Sequence, residues 1–482
     1  MRGKIMMSLM LVTSLAAMEG TIVSTATPSI TSDLSGFEAV SWVFSIYLLT
    51  AAVSTPIYGK LADLLGRKRV LLCGVIIFLL GAVLCGFATS MFQLILFRAV
   101  QGLGAGAVLP ITMTIIGDLY VEQQERVKAQ GWISAVFGIS GVIGPLFGGI
   151  LVDTLSWRYI FFLNLPFGLI SIFMLLRYYK ENIKKQKHHI DYIGAITFSC
   201  SIVPLLYALL TGSNTQHWGN PLIISLLGIS ISLFIVFLYI EKNSPEPLVP
   251  LNLFSHRDIN VVNVITLFMG TMLISILVYL PIWSQEILNK SATTAGFMLM
   301  PMPVIWAVGS FLAGYIVKKI KPIYIVIIGT IIMFLAASLL FVIRPMSPEF
   351  LIYMAIGLMG LGMGLITPII IIIIQDRVSK NKRGTAVSLN TFINTFSQAL
   401  GAAVFGMIFN VSTNAHNDEK AVQVFKYKQT EINSLNTLQD NLFSGIHAVF
   451  STTLILAILT FFISWILIKK KPHYQKDVKL QQ

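Results

Sequence analysis

The amino-acid sequence predicts an all-α membrane protein of fourteen spans, laid out as six helices, two inserted helices and six more. Three observations lead there. Of 482 residues, 55% are hydrophobic and only 11% charged, with a mean hydropathy of +0.80, whereas soluble chains carry about 25% charged residues. Apolar stretches of about 20 residues, the length that crosses a bilayer as helix, recur along the chain. Lysine and arginine collect in alternate loops, which is the mark of the inner face. This composition excludes a cytosolic enzyme, a nucleic-acid-binding module and a disordered scaffold. The net charge of +13 therefore calls for a membrane explanation and no nucleic-acid partner. Three cysteines in so long a chain exclude a disulfide framework.

The spans run near 6–29, 40–59, 70–88, 92–117, 128–151, 158–176, 192–211, 221–240, 259–284, 294–317, 322–343, 349–374, 384–410 and 445–468. The first begins like a signal peptide, but its apolar character continues through Ile22, Val23 and Ala26, which favours a retained span. The second ends on Gly59-Lys60-Leu61, the fourth carries Arg98, and the fifth is rich in glycine. A Lys- and His-rich run (Lys180–His189) follows the sixth span, and a Pro-containing run (Ser244–Pro250) follows the eighth. They set off two helices with few polar residues. The expected division is therefore 1–180, 181–257 and 258–482. Gly314-Tyr315-Ile316, followed by Lys318-Lys319, closes the tenth span much as Gly59-Lys60-Leu61 closes the second, a weak internal repeat. The outer loop 411–443 is the longest connection and has room for a small hairpin at most. Of the 34 lysines and arginines, only Arg158, Lys290, Arg344, Lys420, Lys426 and Lys428 fall in outer loops, with Arg98 inside a span. Both termini are expected in the cytoplasm, with the basic loops drawn to anionic lipid headgroups.

The loop after the second span reads Gly59-Lys60-Leu61-Ala62-Asp63-Leu64-Leu65-Gly66-Arg67-Lys68-Arg69. Two glycines seven residues apart allow a tight turn and close helix approach. Asp63, an acid in a basic loop, can pair with an arginine or cap a neighbouring helix N-terminus. This run resembles the signature loop of the major facilitator superfamily, and three further runs agree. Arg98-Ala99-Val100-Gln101-Gly102 resembles that superfamily's Arg-x-x-Gln-Gly motif. Gly144-Pro145-Leu146-Phe147-Gly148-Gly149 resembles its antiporter Gly-Pro motif. Glu19-Gly20-Thr21-Ile22-Val23 with Pro28 resembles the Asp-x-Thr-Ile-Val…Pro motif of fourteen-span drug:proton antiporters. Glu19 stands where that pattern has Asp, and Ser24 where it has Asn. The resemblance implies two six-helix bundles rocking about a central cavity in the plasma membrane. It also implies export of lipophilic or cationic drugs in exchange for protons. Arg98 is implied in proton movement. Gly59, Asp63, Gly66 and Arg67 are implied in an inner gate, with Asp118 the first candidate partner, Glu122 the second, and the helix start near Arg383 and Gly384 a third. Gly144, Pro145, Gly148 and Gly149 are implied in a seal against leak.

The residues carry their own physics. Glu19 falls near the bilayer middle, where an ionised carboxylate costs several kcal/mol, so a proton or a cation must neutralise it. This makes it the expected proton-coupling and cargo-binding group. The alternative is a Glu kept protonated by Thr or Ser hydroxyls. Arg98 is always charged and must face the bundle interior; the alternative is a snorkelling or structural arginine. Gly141, Gly144, Gly148 and Gly149 form a small-residue face for close helix approach, which a static packing seam would equally use. Asn390, Asn394 and Gln398 recur every four residues on one helix face and must meet protein or water, whether cargo or a neighbouring helix. Trp306, in mid-span, could stack on a cationic or aromatic drug or simply pack. With no second carboxylate at mid-depth, one proton per cycle is expected.

Other cargo on the same fold stays open: a lipid, glycolipid or metabolite, or sodium in place of the proton. All seven histidines lie in loops, tails or helix ends, and no phosphate loop or metal-ligand cluster occurs. No enzyme activity, cofactor or metal is therefore expected, and a monomer is.

Overall fold

The computed structural model describes residues 2–34, 40–181, 191–215, 219–290, 292–413 and 432–468. Most of the Lys/His-rich run, the middle of the outer loop and the basic tail lie outside the described residues. Every described element is helical: α1 (Arg2–Leu34), α2 (Val40–Leu65), α3 (Arg67–Gly86), α4 (Met91–Ala105), α5 (Val108–Leu119), α6 (Gln123–Thr154), α7 (Tyr159–Phe162), α8 (Asn164–Tyr178), α9 (Tyr192–Thr215), α10 (Pro221–Asn243), α11 (Arg257–Ile282), α12 (Ala292–Leu299), α13 (Pro301–Ile316), α14 (Pro322–Val342), α15 (Glu349–Arg377), α16 (Arg383–Ser412) and α17 (Ile432–Trp465). Short 3-10 and π turns join some of them.

Thirteen segments among the described residues are long and apolar enough to cross a membrane. The fourteenth expected span, 128–151, is α6, a helix of 32 residues and roughly 48 Å long.

Local chemistry sets the helix ends. Proline opens α10, α13 and α14, where a missing N–H is no loss. Ser90 caps α4 by accepting from Gln93 N, and Asn220 caps α10 by accepting from Leu222 N. Gly66 turns the chain between α2 and α3 at φ 98°, a left-handed value that a side chain would resist.

Several spans expected as single helices are broken. The fourth parts at Gly106–Ala107 into α4 and α5, the sixth at Leu163 into α7 and α8, and the tenth at Met300 into α12 and α13. Pro301 accounts for the last, since its nitrogen cannot donate to the preceding turn. α17 begins at Ile432, so the last part of the expected outer loop 411–443 is helical, while 414–431 lie outside the described residues.

α1 lies on α6 and α8, and α3 and α2 lie on α4. In the second half α11 lies on α16 and α17, and α15 on α13 and α14. The halves meet along two seams, α2–α16 and α6–α13. The inserted α9 packs on both α2 and α16. Tyr207 stacks on Trp42 of α2 at 4.9 Å, and Phe198 meets Phe392 of α16 edge-on at 5.4 Å. The basic segments come to one end, where Arg2 pairs with Glu125, Arg377 with Asp258 and Arg126 with Asp376. From that end to the middle of the helices α6 and α13 touch closely: a Cβ on Gly131 would lie 3.1 Å from Ser310 O, and one on Gly138 would lie 2.8 Å from Pro303 O. Gly141 and Gly149 of α6 and Gly296 of α12 have nothing within 4 Å of where a Cβ would be.

Candidate functional site

Glu19 lies halfway along α1 and Arg98 halfway along α4, and the fold presses them together. Arg98 Nη1 meets Glu19 Oε1 at 2.5 Å, with side chains 1% and 0% exposed. The same nitrogen donates to Gln101 Oε1 at 2.8 Å, and Arg98 Nε donates to the Val43 carbonyl at 3.0 Å. The guanidinium stacks over the Tyr47 ring at 4.2 Å. Asn164, the first residue of α8, donates from Nδ2 to Glu19 Oε2 at 2.9 Å. Glu19 is thus met by an arginine, where a proton, a cation or Thr and Ser hydroxyls were expected. Its counter-charge in this conformation is Arg98, and no part of it reaches solvent. Direct contact between Glu19 and cargo, expected from the sequence, does not fit this geometry, because every approach is filled by protein.

Glycines bring α4 this close. A Cβ on Gly104 would sit 2.3 Å from Phe78 N and 2.5 Å from Gly74 O, and one on Gly102 would sit 2.4 Å from Tyr47 O. Backbone cannot step aside as a side-chain tip can, so overpacking should cost about 1–3 kcal/mol. Gly104→Ala is expected to lower the melting temperature of the purified protein. An unchanged melting temperature would mean that this close approach does not hold α4 in place.

At the basic end the two halves interlock. Asp63 Oδ1 accepts from Gly384 N at 3.0 Å, and Oδ2 accepts from Thr385 N at 2.8 Å and Thr385 Oγ1 at 2.9 Å. A carboxylate therefore caps the N-terminus of α16, where the helix dipole favours it. Arg67 bonds Asp63 at 3.1 Å and Asp118 at 3.4 Å, and donates to the Lys380 carbonyl at 2.6 Å. Arg383 crosses to Asp118 at 3.2 Å and to the Gly117 carbonyl at 3.1 Å. Asp118 is therefore the acid partner, and Glu122 is exposed. Gly59 permits the contact, since a Cβ there would lie 2.7 Å from Gly384 O.

The amide stripe divides. Asn390 is 5% exposed and donates to Asn263 and Thr266 of α11, each at 2.9 Å. It joins two helices and is closed to cargo here, against the expectation of substrate contact. Asn394 and Gln398 bond each other at 2.9 Å and stay half-buried. Trp306 is half-buried and packs on the hydrophobic cluster of the second half. The glycine face of α6 divides as well. Gly144 packs on Thr21 of α1, while Gly141 and Gly149 face open space, so the run is no continuous packing seam. Pro145 and Gly148 lie on the same helix.

Sequence reasoning missed Asn164, Tyr47 and Glu181. Glu181 accepts from Arg67 N and Lys68 N, both at 2.9 Å, and so caps α3 from the end of the sixth span. Gln375, which donates to the Met113 carbonyl across the halves at 2.9 Å, was missed too. An isolated polar residue in an apolar run was the signal available for Asn164.

A family profile described as Major Facilitator Superfamily matches residues 9–402. Multidrug resistance protein 3 of Bacillus subtilis is 38% identical over 415 residues, spanning 86% of this chain and 81% of that one. Multidrug transporter protein MdtP of the same organism is 34% identical over 407 residues, spanning 84% and 75%. Among solved structures, the human organic anion transporter MFSD10 matches with a TM-score of 0.66 at 14% identity, covering 96% of this chain and 99% of that one. The proton:xylose symporter XylE matches at 0.64 and 15%, covering 97% and 95%. The structural matches bear on the fold alone, and the profile and the two Bacillus proteins on descent. From the loop at Gly59 to the packing of its two halves, the chain belongs to the Major Facilitator Superfamily.

Proposed function

We propose that the protein exports lipophilic, often cationic compounds across the plasma membrane in exchange for protons, with both termini in the cytoplasm. Residues 1–180 and 258–482 act as rocking bundles, and 181–257 as a pair riding on their shared seam. The observation that carries the reading is the buried Glu19–Arg98 pair. A proton arriving on Glu19 removes the charge that holds Arg98, and so loosens α1 from α4 at the centre of the bundle. Proton uptake thereby changes which helix arrangement is favoured, and cargo need not touch Glu19. Both oxygen atoms of Glu19 face N–H donors. That suits an exchange of protons better than sodium, a hard cation that wants oxygen ligands. The interlocked basic end serves as a closed inner gate, formed by Gly59, Asp63, Gly66, Arg67 and Asp118. The Bacillus relatives named for multidrug resistance and transport support the cargo class.

Ethidium uptake into energised inside-out vesicles tests this. Collapsing the pH gradient should stop transport, and imposing or removing a sodium gradient should leave it unchanged. Transport that survives loss of the pH gradient, or that follows sodium, would overturn the reading.

A further inference from the structure

We infer that Asn164 is the positioning residue of the Glu19 carboxyl, holding Oε2 in either charge state and so directing the proton to Oε1, the atom that Arg98 must release. The inference rests on the proton-exchange reading above. Asn164 is 4% exposed and follows the break at Leu163, which turns its side chain inward at the start of α8. Its Nδ2 donates to Glu19 Oε2 at 2.9 Å and to the Phe161 carbonyl at 3.2 Å, so both amide hydrogens are engaged.

The two oxygen atoms of Glu19 thus have holders of different kinds. Arg98 holds Oε1 by charge, and its grip weakens once the carboxyl is neutral. An amide N–H donates to a carboxylate and, more weakly, to the C=O oxygen of a carboxylic acid. With Oε2 taken by that donor, Oε1 is the atom left to become the hydroxyl.

The chain just before Asn164 fixes the frame. Trp157 Nε1 and Arg158 Nη1 both donate to Asp33 Oδ2, at 3.0 and 2.6 Å, and Arg158 Nη2 donates to the Ala88 carbonyl at 3.1 Å. The hydrogen bond from Arg158, then that from Trp157, holds the Asp33 carboxyl below its ordinary value, so this grip stays charged at neutral pH. The segment from Trp157 to Asn164 therefore holds α1 at its far end and at its midpoint, about 21 Å apart by helix rise. Around Glu19 itself, α4 contributes Arg98, α2 contributes Tyr47, and α3 contributes Cys85 behind Gln101. The facing stretches of α5, α6 and α8 hold no charged residue at that depth.

The test is ethidium binding to the purified full-length protein across the pH range, for wild type, Glu19→Gln, Asn164→Leu and Asn164→Asp. Wild-type binding should fall as acid protonates Glu19, and Glu19→Gln should show no such midpoint. Without the amide donor the charged carboxylate loses a partner and the neutral form is favoured. The Asn164→Leu midpoint should then move up by about one unit, the tenfold change that one lost hydrogen bond to a charged group produces. Asn164→Asp, nearly isosteric, should move it at least as far and serves if the leucine variant does not fold. A uniform loss of affinity with an unmoved midpoint would reduce Asn164 to a packing role. A midpoint that persists in Glu19→Gln would instead sink the exchange reading, and this inference with it.

Discussion

Glu19→Gln is expected to abolish proton-driven ethidium efflux while leaving a folded protein that still exchanges ethidium without a gradient. Glutamine keeps the length and one carbonyl oxygen, which can accept from Asn164 as Oε2 does, but it can never carry the charge. It therefore mimics the protonated carboxyl, a state the working cycle must already tolerate, and this is why folding should survive. Glu19→Leu differs. It removes the acceptor altogether and leaves the always-charged Arg98 with the Val43 carbonyl, Gln101 and the Tyr47 ring. Breaking a buried ion pair from one side costs about 3–5 kcal/mol, so this variant should express poorly or melt early. Efflux assays and melting curves on the two variants separate coupling from stability. Normal pumping by the glutamine variant would show that the proton is taken up elsewhere.

Asp63→Ala should release the basic end. Its carboxylate accepts three bonds from Gly384 and Thr385 and also pairs with Arg67. Hydrogen bonds to charged groups are worth about 1.5–3 kcal/mol each. Losing even two of them approaches the roughly 5.5 kcal/mol that inverts a 99:1 population. Ser388, fully buried against α2, supplies the reporter. In a background with the three native cysteines replaced, Ser388→Cys should react with a permeant thiol reagent at least ten times faster once Asp63 is alanine. An unchanged rate would show that Asp118, Arg126 and Arg383 close this end by themselves.

Thirteen of the fourteen spans, their order and the capping role of Asp63 were legible because each is written locally. Apolar length marks a span, and Asp63 in a basic loop announces a capping carboxylate. The helix breaks at Leu163, Gly106–Ala107 and Met300 were not legible, because each sits inside an apolar run that hydropathy reads as continuous. The pairing of Glu19 with Arg98, 79 residues apart, follows from the packing of α1, α4 and α8 together, which no periodicity within one helix encodes. Asn390 misled for the same reason. Its exposed-looking amide has its partners on α11, 127 and 124 residues away. Glu181 stands beside a run of lysines, and its caps on Arg67 and Lys68 lie 114 and 113 residues away, beyond any local pattern.

The position of α9 bears on ancestry. Tyr207 and Phe198 lie over aromatic residues belonging to opposite halves, so excising 191–243 to mimic a twelve-helix relative would lay both Trp42 and Phe392 bare to lipid at one stroke. A lineage that gained or shed this middle pair had to alter both halves in concert, which makes those ring positions the place to look for its trace.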